Sequence, residues 1–211
     1  MGSFALKASH MNSTNLQRYL SAYNTFALIA WLFYVSMVAG RGFVLDANSR
    51  MMLNIAQGVA LLEVFHAAMG WAGGSWWLTA LQVASRILVV VLMNLLPLEG
   101  LSSRIGFYGT IMVSVAWGLT EVVRYAYYRQ NLRGVTPTLL EWARYSLFIV
   151  LYPLGVTGEF VIMYTFLDSK GIGINALTIA FGVIALLYAV FFPKLYGYMW
   201  SQRRKKLNNT D

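Results

Sequence analysis

The sequence alternates long apolar runs with short polar connections. Each run holds roughly 20 residues, the length that an α-helix needs to cross the hydrocarbon core of a bilayer. The pattern predicts six transmembrane helices, at residues 19–38, 51–70, 76–96, 106–128, 137–167 and 174–192. We expect the sixth to face lipid most broadly, because its apolar residues are the least interrupted.

The ends of the chain and the fifth apolar segment carry further local signals. Residues 1–18 and 194–211 are hydrophilic, and the second stretch is basic. We interpret the first as a poorly ordered N-terminal segment and the second as a tail. Thr136-Pro137 is typical of a helix start, and Thr138 and Glu141 have the spacing of a capping box. The predicted fold is therefore all-α: one membrane domain over residues 1–211, built as a six-helix bundle with an interior cavity.

Composition supports this class of protein. Of 211 residues, 58% are hydrophobic and only 11% are charged, whereas soluble domains average about 25% charged residues. The chain is thus expected to be an integral membrane protein with no separate soluble domain.

Several classes of chemistry are excluded by residues that the chain lacks. It has no cysteine, so it has no thiol nucleophile, disulfide or thiolate metal site. Its two histidines are too few for a histidine-rich metal centre. We therefore expect no metal site.

The net charge of +8 could suggest nucleic-acid binding, but the positions of the basic residues favour a membrane explanation. Nine Lys and Arg residues fall on one side of the predicted bundle and four on the other. Basic residues accumulate on the cytosolic side of membrane proteins. We therefore expect both termini in the cytosol, and no nucleic-acid partner.

Six charged residues lie within or beside the predicted spans, three of each sign. Buried charges are tolerated when they are paired, so we expect these side chains to meet around a shared interior. They are Glu63, Arg86, Glu121, Arg124, Arg144 and Glu159. For Glu121 and Arg124, one helical turn apart, we favour structural pairing. His66, a lone histidine on an apolar face, is interpreted as a packing residue.

The stretch RYSLFIVLYPLGVTGE, residues 144–159, combines reactive and helix-interrupting residues. Tyr152 and Glu159 are separated by close to two helical turns, which places them on one face about 10 Å apart. Pro153 is expected to bend the helix and interrupt it beside a cavity, while Gly155 and Gly158 permit close approach of another helix or a substrate. A phenol and a carboxylate can act as acid and base without a metal. The alternative is a kinked packing helix with no chemical role.

This stretch closely resembles the signature of the very-long-chain 3-hydroxyacyl-CoA dehydratase family, also called protein-tyrosine-phosphatase-like proteins. Three further segments resemble the family in the same order: YLSAYN, LLEVFHAAMG followed by QVASR, and WGLTEVVRYAYY. The resemblance implies six spans, cytosolic termini and an endoplasmic-reticulum membrane location. It also implies catalytic roles for Tyr152 and Glu159. Residues implied to position the substrate or support the pair are Glu63, Gln82, Arg86, Arg144 and Gly155.

The reaction implied by the resemblance is loss of water from a (3R)-3-hydroxyacyl-CoA to give the trans-2-enoyl-CoA, the third step of microsomal fatty-acid elongation. Elimination needs a base at the α-carbon and an acid for the departing hydroxyl. Either of Tyr152 and Glu159 could fill either role. The implied partners are the acyl-CoA substrate, membrane lipid and other elongation enzymes; CoA is part of the substrate, so no cofactor is needed.

Two other functions fit parts of the sequence. Polar residues inside spans also mark the permeation routes of transporters and channels. A non-catalytic membrane scaffold could keep the same fold. Neither explains all of the matching segments.

Overall fold

The computed structural model describes residues 13–73, 75–97 and 103–207. Residues 1–12 of the predicted N-terminal segment and the last four of the tail lie outside this part. The described residues form eight helices and no strand. In chain order they are α1 (Ser13–Gly40), α2 (Ala47–Val59), α3 (Leu61–Ala68), α4 (Trp76–Leu95), α5 (Arg104–Leu132), α6 (Thr138–Ser146), α7 (Phe148–Ser169) and α8 (Ala176–Leu207).

Six stretches of helix are long and apolar enough to cross a membrane, which confirms the predicted number of spans. They are Thr14–Gly40, Ala47–Ala68, Trp76–Leu95, Arg104–Leu132, Phe148–Ser169 and Ala176–Leu207. The second contains both α2 and α3, which meet at Ala60. An even number of spans places the start of α1 and the end of α8 on the same side of the bundle.

The predicted start of the fifth span and its predicted N-terminal cap were wrong. The fifth span begins at Phe148 rather than near Pro137, because Glu141 and Arg144 fall in the separate helix α6. The predicted capping box does not form: Pro137 occupies the cap position, and no side chain caps the helix. Thr138 is already the first helical residue, so its hydroxyl lies one position too late to act as an N-cap.

The helical ends also extend further than predicted. Residues 13–18 of the predicted N-terminal segment belong to α1. The helix of the sixth span continues beyond Phe192, through Pro193, to Leu207. A proline inside a helix leaves one main-chain oxygen, that of the residue four positions earlier, without its helical donor. The helix can continue past the proline when its other main-chain hydrogen bonds are kept. Most of the predicted tail is therefore a helical extension.

Helix α5 is the centre of the bundle and packs against α1 and α7. Gly158 sets the approach of α7: a Cβ atom there would lie 2.7 Å from the Cβ of Met112 and 2.9 Å from the main-chain nitrogen of Val113. The two backbones therefore approach closely because residue 158 has no side chain.

Helix α8 lies at the edge of the bundle, against α6 and α7. Phe181 is its one buried residue. The sixth span is the least buried of the six, which agrees with the prediction that it faces lipid most broadly. A helix with so little apolar burial must be positioned by the individual contacts that it makes.

Candidate active site

Glu159 lies near the middle of α7 and is 7% exposed. Each oxygen of its carboxylate accepts a hydrogen bond from a different helix. The indole Nε1 of Trp117, on α5, donates to Oε1 at 3.0 Å. The hydroxyl of Tyr188, on α8, donates to Oε2 at 2.6 Å. Glu159 is thus held between α5 and α8 by two neutral donors.

Gly155 explains why the indole can reach Glu159. It lies one turn before Glu159 on the same face of α7, and a Cβ atom there would be 3.3 Å from the Cβ of Ala116 and 3.8 Å from Nε1 of Trp117. A larger side chain would fill the space through which Trp117 approaches. The structure therefore places Gly155 directly beside the contacts of Glu159.

Tyr152 is half-buried on the same side of α7. Its ring stacks on that of Phe192, on α8, with centroids 5.4 Å apart and planes inclined by 17°. Tyr188, which binds Glu159, lies four residues before Phe192 on the same face of α8. Tyr152 and Glu159 thus both face α8, and they interact electrostatically. This agrees with the predicted shared face, whereas their catalytic roles and the interior cavity stay predictions.

Pro153 does not interrupt the helix, whereas the bend expected there stays a prediction. Helix α7 runs unbroken from Phe148 to Ser169 with Pro153 inside it. Proline has no N–H to donate to the main-chain oxygen of residue 149. The hydroxyl of Tyr196, on α8, donates to that oxygen of Ile149 at 3.1 Å instead. A side chain from α8 thus replaces the helical bond that Pro153 cannot make.

Four of the six charged residues form one ionic chain. The guanidinium of Arg124 donates to both oxygens of Glu63, at 2.8 and 2.7 Å. Its Nε donates to Oε2 of Glu121 at 2.7 Å. Arg86 forms an ion pair with the other oxygen of Glu121. Two acids and two bases therefore compensate one another, as predicted for Glu121 and Arg124.

Arg86 connects this ionic chain to Glu159. Its guanidinium carbon lies 5.0 Å from the centroid of the Trp117 ring, and Trp117 donates to Glu159. Arg86 also acts electrostatically on Glu159 itself. A continuous set of contacts thus runs from Glu63 through Arg86 to Glu159.

Two predicted supporting residues lie apart from this chain. Arg144, on α6, contacts Tyr128, with its guanidinium carbon 5.7 Å from the ring centroid. Gln82 is exposed, and its side chain makes no hydrogen bond to another residue in the described ranges. The expectation that all six charges share one interior was therefore wrong for Arg144, because α6 ends before the span begins.

The shortest hydrogen bonds of His66 and Glu63 go to different residues, although both lie on one helix face. The Nε2 atom of His66 is 2.9 Å from the hydroxyl of Tyr19, and its ring stacks on Trp71 at 5.9 Å. Glu63 instead accepts a hydrogen bond from the hydroxyl of Tyr125 at 2.5 Å. These contacts support the interpretation of His66 as a packing residue.

Sequence reasoning missed both direct partners of Glu159. Trp117 lies inside the WGLTEVVRYAYY segment but was not singled out. Tyr188 interrupts the apolar run of the last span, and rings recur every four residues from it at Phe192, Tyr196 and Trp200. That spacing is a detectable signal of one aromatic helix face. It gives no indication of which carboxylate the face meets.

No metal site is found among the residues that the structure describes: no three His, Asp or Glu side chains are grouped to hold an ion. The groups around Glu159 are instead an indole, a phenol and a guanidinium. They suit proton transfer and anion stabilisation.

The amino-acid sequence is similar to those of several known proteins. A mouse protein named very-long-chain (3R)-3-hydroxyacyl-CoA dehydratase 2 is 32% identical over 92% of this chain and 82% of its own length. A Caenorhabditis elegans protein named very-long-chain (3R)-3-hydroxyacyl-CoA dehydratase hpo-8 is 36% identical over 92% of this chain and 96% of its own length. A Schizosaccharomyces pombe protein, named a probable enzyme of the same kind, is 28% identical over 89% of this chain. No solved structure matches significantly.

The family comparison covers most of the bundle. Residues 57–209 match the sequence model of the family described as protein tyrosine phosphatase-like protein, PTPLA. The matched range includes Glu63, the ionic chain, Tyr152, Glu159 and the aromatic face of α8. The chain therefore belongs to the protein tyrosine phosphatase-like family of membrane proteins.

Proposed function

We propose that this chain is a very-long-chain (3R)-3-hydroxyacyl-CoA dehydratase, which removes water from its substrate to give the trans-2-enoyl-CoA. Relatives from mouse and nematode that carry this name match over 92% of the chain. The observation that carries the proposal is Glu159, a buried carboxylate fixed by two donors near the middle of a span.

In the proposed reaction Glu159 acts as the base. An ionised carboxylate only accepts hydrogen bonds, and both oxygens of Glu159 have a donor. It removes the proton from C2 of the acyl chain, the C2–C3 double bond forms, and the C3–O bond breaks. The thioester oxygen gains charge in this step, and Arg86, which acts electrostatically on Glu159, is the cation available to stabilise it.

Tyr152 acts as the acid. Its hydroxyl makes no hydrogen bond to another residue in the described part of the chain, so it is free to donate to the substrate. It protonates the departing hydroxyl, which leaves as water. Transfer of the proton from Glu159 back to Tyr152 through solvent restores both groups. The separation of about 10 Å along α7 leaves room for C2 and C3 between the two side chains.

The proposed orientation keeps CoA in water. Nine basic residues on the side of the chain termini against four on the other support cytosolic termini, with the enzyme in the endoplasmic-reticulum membrane. Tyr152 lies one turn into α7 from that side, and Arg129 and Arg133 at the end of α5 are available to the CoA phosphates. The acyl chain lies among the spans, where each buried CH₂ contributes about 0.8 kcal/mol.

No separate cofactor is needed, since CoA belongs to the substrate and the acid and base are side chains. For the acyl chain to be lengthened, the 3-hydroxyacyl-CoA substrate must be supplied by reduction of a ketone. The double bond of the enoyl-CoA product must then be reduced in turn. The proposed partners are therefore the other enzymes of fatty-acid elongation, in the same membrane.

The test is dehydration by the purified full-length protein of 3-hydroxyacyl-CoA substrates of increasing chain length. We expect enoyl-CoA formation by the wild type and loss of most activity in Tyr152→Phe and Glu159→Gln. Tyr198→Phe is the matched control, because Tyr198 is 60% exposed on α8. Full activity in Tyr152→Phe overturns its assignment. Solute flux in vesicles without any dehydration overturns the function in favour of a transporter.

A further inference from the structure

Tyr188 is the second phenol of the candidate site, and it makes a more direct contact with Glu159 than Tyr152 does. Its hydroxyl lies 2.6 Å from Oε2 of Glu159. Its ring packs edge-on against Phe160 with centroids 5.3 Å apart. Tyr188 thus links α8 to α7 at the carboxylate.

The rest of α8 supports this position of Tyr188. Tyr196 donates to the main-chain oxygen of Ile149. Two turns further along α8, Nε of Arg203 donates to the hydroxyl of Ser146 at 3.1 Å. Since Phe181 is the one buried residue of α8, these side-chain contacts rather than apolar burial determine where the helix sits. Each one lies next to α7 or its start.

The two donors to Glu159 bind different oxygens of its carboxylate. Trp117, on α5, donates to Oε1, and Tyr188, on α8, donates to Oε2. A carboxylate bound at one oxygen could still rotate about its last side-chain bond, whereas one bound at both has a fixed plane. Its remaining lone pairs then have a fixed direction for accepting the C2 proton.

We propose that Tyr188 is a positioning residue for the dehydration: it fixes the orientation of the Glu159 carboxylate and stabilises its ionised form for removal of the C2 proton. This inference rests on the proposed function. Tyr188 touches Glu159 rather than the substrate, so its loss lowers the rate of the chemical step without weakening substrate binding. A packing role alone predicts no such selectivity, because phenylalanine keeps the ring contact with Phe160.

The test compares Tyr188→Phe with Tyr198→Phe in the purified full-length protein, using a 3-hydroxyacyl-CoA that the wild type dehydrates. A hydrogen bond to a charged group has an effect of about tenfold or more. We expect kcat of Tyr188→Phe to fall about tenfold with KM within about twofold of wild type. We also expect the rise of activity with pH to begin at a higher pH, because the ionised carboxylate has lost a donor. Tyr198→Phe should match wild type in all three respects.

A second variant covers failure of Tyr188→Phe to fold. Replacing Tyr188 with 3-fluorotyrosine keeps the shape and gives a stronger hydrogen-bond donor, so we expect the rise of activity to begin at a lower pH with the fold intact. Wild-type kcat and pH profiles in both variants overturn the inference while the proposed function stands. No dehydration by the wild type overturns the proposed function itself.

Discussion

The hydroxyl of Tyr196 and the main-chain oxygen of Ile149 form a hydrogen bond of 3.1 Å between α8 and α7. Ile149 is the residue whose oxygen Pro153 leaves without a helical donor. This hydrogen bond lies close to Tyr152. It replaces the helical hydrogen bond that Pro153, the residue after Tyr152, cannot make. A helix that would otherwise expose an unpaired oxygen at membrane depth is thereby kept continuous.

Loss of this bond should cost more with the proline present than without it. We expect Tyr196→Phe to lower the free energy of unfolding by about 1 kcal/mol. In a Pro153→Ala background, residue 153 can donate to Ile149 itself, so the same change should cost less. Thermal unfolding in detergent measures both. Equal costs in the two backgrounds contradict the compensation.

Arg86 forms an ion pair with Glu121 and places its planar guanidinium over the ring of Trp117. A substitution by lysine separates the effect of the charge from that of the ring contact. Arg86→Lys keeps the positive charge near Glu121 but removes the flat guanidinium that lies over Trp117. We expect dehydration activity to fall about tenfold with little change in the thermal unfolding temperature. Activity equal to wild type would show that charge alone suffices at this position.

The buried ionic chain and an exposed ion pair should respond differently to loss of one partner. Glu121 is 2% exposed, so Glu121→Gln leaves Arg86 and Arg124 poorly compensated, and we expect a cost of about 3–5 kcal/mol. Arg41, whose Nε lies 3.1 Å from Asp46, is 38% exposed, and Arg41→Ala should cost less than about 1 kcal/mol. The folded fraction in gel filtration compares the two. Similar losses for both variants would contradict the ranking.

The close approach of α5 and α7 at Gly158 makes this glycine hard to replace. Gly158→Ala puts a methyl group against Met112 and Val113, and we expect a cost of about 1–3 kcal/mol. Gly182, on α8, has no atom within 4 Å of a built Cβ. Gly182→Ala should leave stability unchanged or raise it by about 0.5–1 kcal/mol. Tolerance of alanine at Gly158, by thermal unfolding, would mean that the helices are further apart.

The topology can be tested without removing native thiols, since the chain has no cysteine. In sealed endoplasmic-reticulum vesicles, an impermeant maleimide should label Arg133→Cys directly, because the connection after α5 faces the cytosol in the proposed orientation. Lys170→Cys, in the connection between α7 and α8, should be labelled only after detergent is added. The reverse order of labelling would invert the orientation.

The span count was readable from the sequence because apolar run length alone determines which segments can cross a bilayer. The boundaries were less predictable. The segment before Phe148 continues the helical pattern of the span, so its charged residues gave no sign that α6 is a separate helix. Likewise, Lys194 follows Pro193 directly, and nothing local shows that the helix continues to Leu207.

Glu159 was identifiable from the sequence because an unpaired charge within an apolar span is energetically unfavourable. Its hydrogen-bond partners were not identifiable. Trp117 is 42 residues away in sequence and Tyr188 is 29 residues away. Such contacts depend on how α5, α7 and α8 cross, which is determined by packing at positions such as Gly155 rather than by local pattern. The pairing of Glu63 with Arg124, 61 residues apart, was beyond reach for the same reason.

The order of synthesis gives the Tyr188–Glu159 contact a further consequence. The ribosome synthesises α7 before α8, so Glu159 reaches the bilayer before its phenol donor does. Trp117, on α5, is already in the bilayer, so the Glu159 carboxylate has one of its two hydrogen-bond donors until α8 inserts. Assembly of the candidate site therefore finishes when α8 inserts, and an intermediate without α8 would contain Glu159 with only one of its two donors.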